Sequence, residues 1–216
     1  MSSCQCSGIE RCFTPQRVTN ELERYRKRGP AKSTRLLVDA LREQGIEGLT
    51  LLDIGGGVGA IIHALLQAGA REATDVDASS AYLTVAQEEA QRRGLAERIS
   101  FQHGDFVALA ATLPRADMVT LDRVICCYDD MPALVRLSAA RAEKFYGVVY
   151  PRDTWWTRLF IRVQNVFMRT MRAPMRFFVH PSASVEAIVR AQGLERRFYR
   201  TAGPWQVVVY ARTAHT

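Results

Sequence analysis

Leu51-Leu52-Asp53-Ile54-Gly55-Gly56-Gly57-Val58-Gly59 is the stretch that decides the architecture of this chain. An apolar run delivers an acid, four glycines follow within five positions, and a helix-period segment opens at Val58 and runs to Ala68, with Ile61, Ile62, Leu65 and Leu66 on one side. The pattern reads as strand, tight turn and helix. Glycine at 55, 57 and 59 permits positive φ and lets a ligand lie against bare main chain, beside the free N–H groups of the next helix start. Dinucleotide enzymes hold a pyrophosphate on a related turn with GxGxxG spacing. Here the spacing is GxGxG and Asp53 stands at the strand end. A carboxylate in that place repels a pyrophosphate and attracts an ammonium group, such as that of a methionine moiety.

Outward from this turn the pattern alternates. Strands are expected at 71–76, 99–104, 116–121 and 145–150, with helices at 79–92 and 131–141. Such spacing implies crossover connections and a mostly parallel sheet covered on both faces. After a helix at 182–192, strands at 194–200 and 205–211 are joined only by residues 201–204, too few for a crossover, so they form an antiparallel hairpin. The expected fold is therefore α/β, doubly wound, with five parallel strands and a C-terminal antiparallel hairpin. Upstream, 15–28 reads as a polar helix ending at Gly29-Pro30, and 31–44 as a helix carrying Leu36, Leu37, Ala40 and Leu41. Residues 1–48 are thus a tail and helices that pack on the core, and 49–216 the main domain, with an amphipathic helix inserted at about 153–176.

Two more acidic motifs fall at strand ends. Asp75-Val76-Asp77 closes the second strand, where an acid can accept hydrogen bonds from both hydroxyls of a ribose. Asp77 is the better placed, with an N-cap-like residue as its bland alternative. Asp75 is then a helper or a solvated edge residue. His103-Gly104-Asp105-Phe106 closes the third strand, where Asp105 can accept from an adenine amino group and Phe106 can cover the ring.

Together LLDIGGGVGA, DVDAS, HGD and ADMVTLDRVICCYDD resemble class I S-adenosylmethionine-dependent methyltransferases over roughly residues 49–212. The resemblance implies a seven-stranded sheet with the last strand antiparallel, S-adenosylmethionine as cofactor, and methyl transfer by in-line displacement. It assigns the cofactor loop to Asp53, Gly55, Gly57 and Gly59, the ribose acid to Asp77, the adenine-contacting acid to Asp105, and the fourth-strand edge of cofactor and substrate to Leu121, Asp122 and Arg123. The layout after the fourth strand is also similar to small-molecule O-methyltransferases, including those acting on porphyrin carboxylates.

Displacement at an activated sulfonium depends mostly on alignment, which can contribute up to about 7–11 kcal/mol. A base is needed only if the acceptor must lose a proton. Asp122, Asp129, His180 and Tyr150 are candidate bases, with His180 and Asp122 the two favoured. Arg123, Tyr128, Tyr150, Trp155 and Trp156 are expected to line the acceptor. In the inserted helix Trp155, Trp156, Leu159, Phe160, Val163, Val166, Phe167 and Met171 recur at helical spacing, opposite Arg158, Arg162, Arg169, Arg172 and Arg176. This reads as a lid over an apolar acceptor, as an interfacial helix in peripheral contact with an anionic membrane surface, or as a core-packed helix with a wet basic face.

The chain has 216 residues, 48% of them apolar and 24% charged, with net charge +7. The charge favours anionic partners without choosing among them. No apolar run of about 18 residues occurs, which excludes a spanning helix. MSSCQCSGIER lacks the basic and apolar regions of an export signal, so a cytoplasmic setting with reduced thiols is expected. Cys4, Cys6 and Cys12 have no paired CxxC spacing, so no metal is expected and the N-terminus reads as a flexible tail. Cys126 and Cys127 read as buried small side chains or as part of the acceptor pocket. The expected partner is a small, apolar or anionic acceptor. Nucleic acid is not expected, because no NPPY-like tetrapeptide follows the fourth strand and no recognition domain for an extruded base is present. A nucleic-acid methyltransferase, a nicotinamide-dependent reductase and a non-catalytic cofactor-binding protein are the alternatives.

Overall fold

The centre of the molecule is a seven-stranded sheet in the order β3-β2-β1-β4-β5-β7-β6. The computed structural model describes residues 4–170 and 175–213. Strands β1 (Thr50–Ile54), β2 (Glu72–Asp77), β3 (Ile99–His103), β4 (Ala116–Asp122) and β5 (Ala142–Pro151) pair in parallel. Strands β6 (Leu194–Ala202) and β7 (Trp205–Arg212) form the expected hairpin, and β7 lies antiparallel between β5 and β6, with Val148 opposite Val208.

Alternation along each central strand builds two cores. Leu52, Ile54, Val119, Leu121 and Val148 face one side, where α7 (Met131–Arg141) and α9 (Ser182–Ala191) bury Leu134, Val135, Val185 and Val189. Leu51, Met118, Val149 and Val209 face the other, under α3 (Lys32–Arg42) and α4 (Ala60–Gln67). Leu37 of α3 comes so near the sheet that a Cβ at Gly147 would lie 2.7 Å from its Cδ1. With both faces covered, β1 and β4 are mostly apolar, and their buried polar members Asp53 and Thr120 bond to each other.

From β1 the chain winds outward through α4, β2 and α5 (Ser80–Arg92) to β3. It then returns through α6 (Phe106–Leu109) to β4, on the other side of β1. The reversal leaves a crevice between the C-terminal ends of β1 and β4, the place where open α/β sheets bind ligands. Two N-terminal helices, α1 (Cys4–Cys12) and α2 (Pro15–Arg28), close over that end. Val18, Leu22 and Tyr25 of α2 pack with Val58, Tyr82 and Val85. Glu89, fully buried on α5, receives Arg26, Arg92 and Arg93 at 2.5–2.8 Å, and those guanidiniums hold its pKa well below the usual carboxylate range despite burial.

Three segments differ from the sequence expectation. Residues 4–12 are helical rather than a loose tail, and their Glu10 accepts from the Ser80 N–H at 3.0 Å at the start of α5. The turn α6 begins directly after Asp105, which caps it. The inserted helix is α8 (Trp155–Thr170), and among its residues only Thr157 is buried. The core-packed reading is thereby overturned: Trp155, Leu159, Phe160, Val163, Val166 and Phe167 all face outward. The sheet already has α3, α4, α7 and α9 on its faces, so no core surface is left for this stripe. Met171 and Arg172 lie outside the described residues, as do the side chains of Cys4 and Cys6. Among the described residues no helix is long and apolar enough to cross a membrane.

Candidate active site

The end of β1 runs into a turn in which Gly55, Gly57 and Gly59 have φ of 69°, 59° and 78°. A Cβ at Gly55 would sit 2.5 Å from Val124 Cγ2, and one at Gly56 would collide with the Asp75 carboxyl. At Gly57 the nearest atom is Tyr82 Cε1 at 3.8 Å, so bare backbone faces the cavity there. The turn is held by the Gly55 N–H donating to Val76 O at 2.7 Å and the Gly57 N–H donating to Asp77 Oδ2 at 3.1 Å.

Three buried carboxyls stand beneath it. Asp53 and Asp75 are register partners across β1 and β2, and Asp77 ends β2. Asp53 Oδ1 accepts from Thr120 Oγ1 at 2.6 Å, while Oδ2 has no partner. Burial raises the Asp53 pKa to about 7 against that hydrogen bond, with Asp122 and Asp77 adding to the rise. Burial likewise raises Asp77 to about 6, although Ser79 and Gly57 donate to it. Asp75 is fully buried without a formed hydrogen bond on either oxygen, and desolvation carries its pKa well up. It is no solvated edge residue. The N-cap of α5 is Ser79 rather than Asp77, which leaves Asp77 free to serve the turn.

Asp105 accepts from the Val107 N–H at 3.1 Å and from Tyr128 Oη at 2.9 Å. It lines, with Phe106 and Tyr128, one side of a cavity of about 460 Å³, an ordinary size for a cofactor or metabolite site. Asp53, Gly55, Gly57, Asp77, Asp122 and Arg123 line it as well. Asp122 accepts from Thr34 Oγ1 at 2.5 Å and from Arg123 Nε at 3.1 Å. Arg123 has φ of 62°, the one positive value at a non-glycine among the described residues. Its strained backbone is held by its N–H donating to Val149 O at 2.8 Å and by the Cys126 thiol donating to its carbonyl at 3.2 Å. Strain of this kind gathers at functional sites. Cys126 and Cys127 both line the cavity.

Other expected site residues lie elsewhere. Gly59 shapes the turn and N-caps α4 without lining the cavity. Leu121 is fully buried in the core, and so is Tyr150, whose phenol is pushed up to about 12 by burial. Trp155 and Trp156 sit on the outward side of α8. His180 donates from Nε2 to the Tyr128 carbonyl at 3.0 Å and stacks on Phe178. It clamps the 125–128 turn from outside the cavity, and burial lowers its pKa. Asp129 is exposed and accepts from the Asp130 N–H.

The far wall comes from residues the sequence reading did not name as site residues. Arg17, Glu21 and Arg24 line the cavity from α2 and Phe13 from the link between α1 and α2, joined by Thr157, Phe160, Ile161 and Gln164 of α8 and by Phe177 and Trp205. Part of a signal was present: 17, 21 and 24 fall on one face of a helix. No local motif marks it.

A family profile described as "Methyltransferase domain" matches residues 51–143. Over 84 residues the chain is 42% identical to a release factor glutamine methyltransferase of Moorella thermoacetica, a match covering 37% of this chain and 29% of that protein. Over 87 residues it is 32% identical to a ubiquinone/menaquinone biosynthesis C-methyltransferase of Allorhizobium ampelinum, covering 39% and 34%. The matched part thus spans about a third of the length of these relatives. Among solved structures, a magnesium protoporphyrin IX methyltransferase from Synechocystis with bound SAH superposes with TM-score 0.68 at 21% identity, over 90% of this chain and 95% of that one. A mitomycin 7-O-methyltransferase superposes with TM-score 0.62 at 21% identity, over 93% and 61%. Likeness at that identity speaks for the shared fold.

Sheet order, terminal hairpin and glycine turn are those of the class I methyltransferase fold, whose cofactor is S-adenosylmethionine, and the methyltransferase-domain profile covers the glycine turn and the three acids. The residues present fit that cofactor: the acidic, partly unpartnered end of the cavity suits a cationic ligand, and the bare glycine backbone leaves room for it.

Proposed function

We propose that this chain transfers the methyl group of S-adenosylmethionine to a small apolar acceptor that carries an anionic group. The observation behind the reading is the polarity of one continuous cavity. Its β-strand end holds Asp53, Asp77 and Asp105, whereas Arg17 and Arg24, with Glu21 between them, and Phe13, Phe160, Phe177 and Trp205 line its other parts. In this reading Asp53 meets the methionine ammonium, Asp77 the ribose hydroxyls and Asp105 the adenine amino group, while Phe106 covers the ring. Bound there, the cofactor supplies an already activated methyl on a sulfonium.

The protein's part is then to orient and to exclude water. Arg123 stands between the two halves, beside Asp122. Asp122 is engaged by Thr34 and Arg123, and His180 does not reach the cavity. An acceptor that arrives already ionised needs neither as a base. The arginines would hold its anion and the aromatics its body, so that alignment supplies most of the rate.

The test is calorimetry with S-adenosylhomocysteine (SAH) and NADH, followed by transfer of labelled methyl to a panel of apolar carboxylates and phenols. Tighter binding of NADH than of SAH overturns the assignment. Transfer confined to neutral amines or to RNA overturns the acceptor class.

A further inference from the structure

Helix α8 has three sides, and only one of them is accounted for by the cavity. Trp155 is 77% exposed, and Leu159, Phe160, Val163, Val166 and Phe167 are each 53–64% exposed. A soluble helix ordinarily hides such a stripe, and contiguous apolar exposure marks a docking site. At about 100° per residue these side chains share one arc. Arg158, Arg162 and Arg169 fall within about 40° of one another on the flank beside it. No acidic residue occurs between Trp155 and Thr170. Thr157, Ile161 and Gln164 take the remaining arc and line the cavity, and Phe160 belongs to both, exposed yet lining the cavity as well.

We propose that α8 docks on the surface of an anionic lipid bilayer, its apolar arc at the headgroup–acyl boundary and its arginines against the lipid anions. Charge selects this occupant. A second copy pairing through the same patch repeats the surface, so it brings apolar side chains and no carboxylate beyond an Asp153 that Arg158 already holds. Among the described residues the flank is met only by Asp153, which takes Arg158 at 2.5 Å. A bilayer offers apolar depth and anionic charge together. Docked in this way, the helix sets the Phe160 edge of the cavity against the lipid, and an acceptor dissolved in the membrane reaches the site without crossing water. That consequence rests on the methyl-transfer reading; the docking itself does not.

The experiment is flotation of the full chain with vesicles of phosphatidylcholine and phosphatidylserine at about 7:3, compared with pure phosphatidylcholine, at low and high salt. Binding to the mixed vesicles that weakens with salt and is far weaker on pure phosphatidylcholine is expected. Arg158→Gln, Arg162→Gln and Arg169→Gln combined should lower partitioning roughly 100-fold, at about fivefold per basic residue. Leu159→Gln, Val163→Gln, Val166→Gln and Phe167→Gln combined should abolish it. Calorimetry with SAH on each variant shows that the fold persists, and it reports on the cofactor reading separately. Absence of flotation at low salt, or flotation unchanged in both variants, overturns the proposal. So does a dimer by light scattering that the four apolar substitutions dissolve while vesicles remain unbound, since the face then belongs to a second copy.

Discussion

The two walls of the cavity are built on different principles. At the strand ends the wall is made of positive-φ glycines and of acids delivered at fixed positions by β1, β2 and β3. At α8 and α2, it is made by side chains projecting from helices whose backbones satisfy themselves. The first wall cannot change without disturbing the turn, because each group is tied to the sheet register. The second can be redrawn residue by residue while the fold stands. A shared cofactor and a variable acceptor call for that division.

The difference is sharpest at the glycines. Gly55→Val meets positive φ, at about 1–2 kcal/mol, and a collision with Val124 that adds about 1–3 kcal/mol of overpacking. Chemical denaturation should show a loss of that summed order, and calorimetry no binding of SAH. Wild-type stability in this variant would mean that the turn is not built as described.

Next in size is Asp77. Asp77→Ala strands the Gly57 and Ser79 N–H groups together, so it should destabilise the protein by about 1–3 kcal/mol as well as weaken binding. Asp77→Asn keeps the shape and one acceptor. SAH affinity should fall roughly 10- to 150-fold, the range of a charge-assisted hydrogen bond of about 1.5–3 kcal/mol, with a smaller stability change than in the alanine variant. Equal affinity in Asp77→Asn and wild type would remove the residue from the cofactor site.

The same acids set a pH dependence. Asp53, at about 7, and Asp77, at about 6, lie above their ordinary value of 3.8. Between those values the folded state holds more protons than the unfolded one, so ligand-free stability should fall as pH rises from about 4 through 7. Affinity for the cationic cofactor should move the other way, tightening through the same window by up to about tenfold per unit for each group and levelling above it. Titration calorimetry from acid to neutral pH checks both signs, and a flat affinity profile would show that these carboxyls do not ionise on binding.

The smallest effects belong to the second wall. Replacing Arg158, Arg162 and Arg169 by Gln should alter stability by no more than about 0.5 kcal/mol. SAH affinity should stay within about twofold, since these side chains do not line the cavity. A loss of several kcal/mol would make α8 part of the core rather than an outer wall.

Asp53, the glycine turn, Asp77 and Asp105 were legible from the chain because each requirement there is local. A positive φ, a strand end and a helix start leave their marks within a few residues, and alternation of strand and helix then places the three acids along one edge of the sheet. The 201–204 connection settled the hairpin by length alone. What α8 faces was not legible: a period of 3.6 shows that a helix has an apolar side, but core, lipid and partner reward that side equally in sequence. Only the packed sheet, with α3, α4, α7 and α9 already on its faces, left the stripe outside. Tertiary structure alone also took His180 to the Tyr128 carbonyl and Tyr150 into the core, and brought α2 across the cavity. Those placements depend on contacts between residues far apart in the chain, and a hydrogen bond or a buried ring of that kind leaves no spacing for a sequence to display.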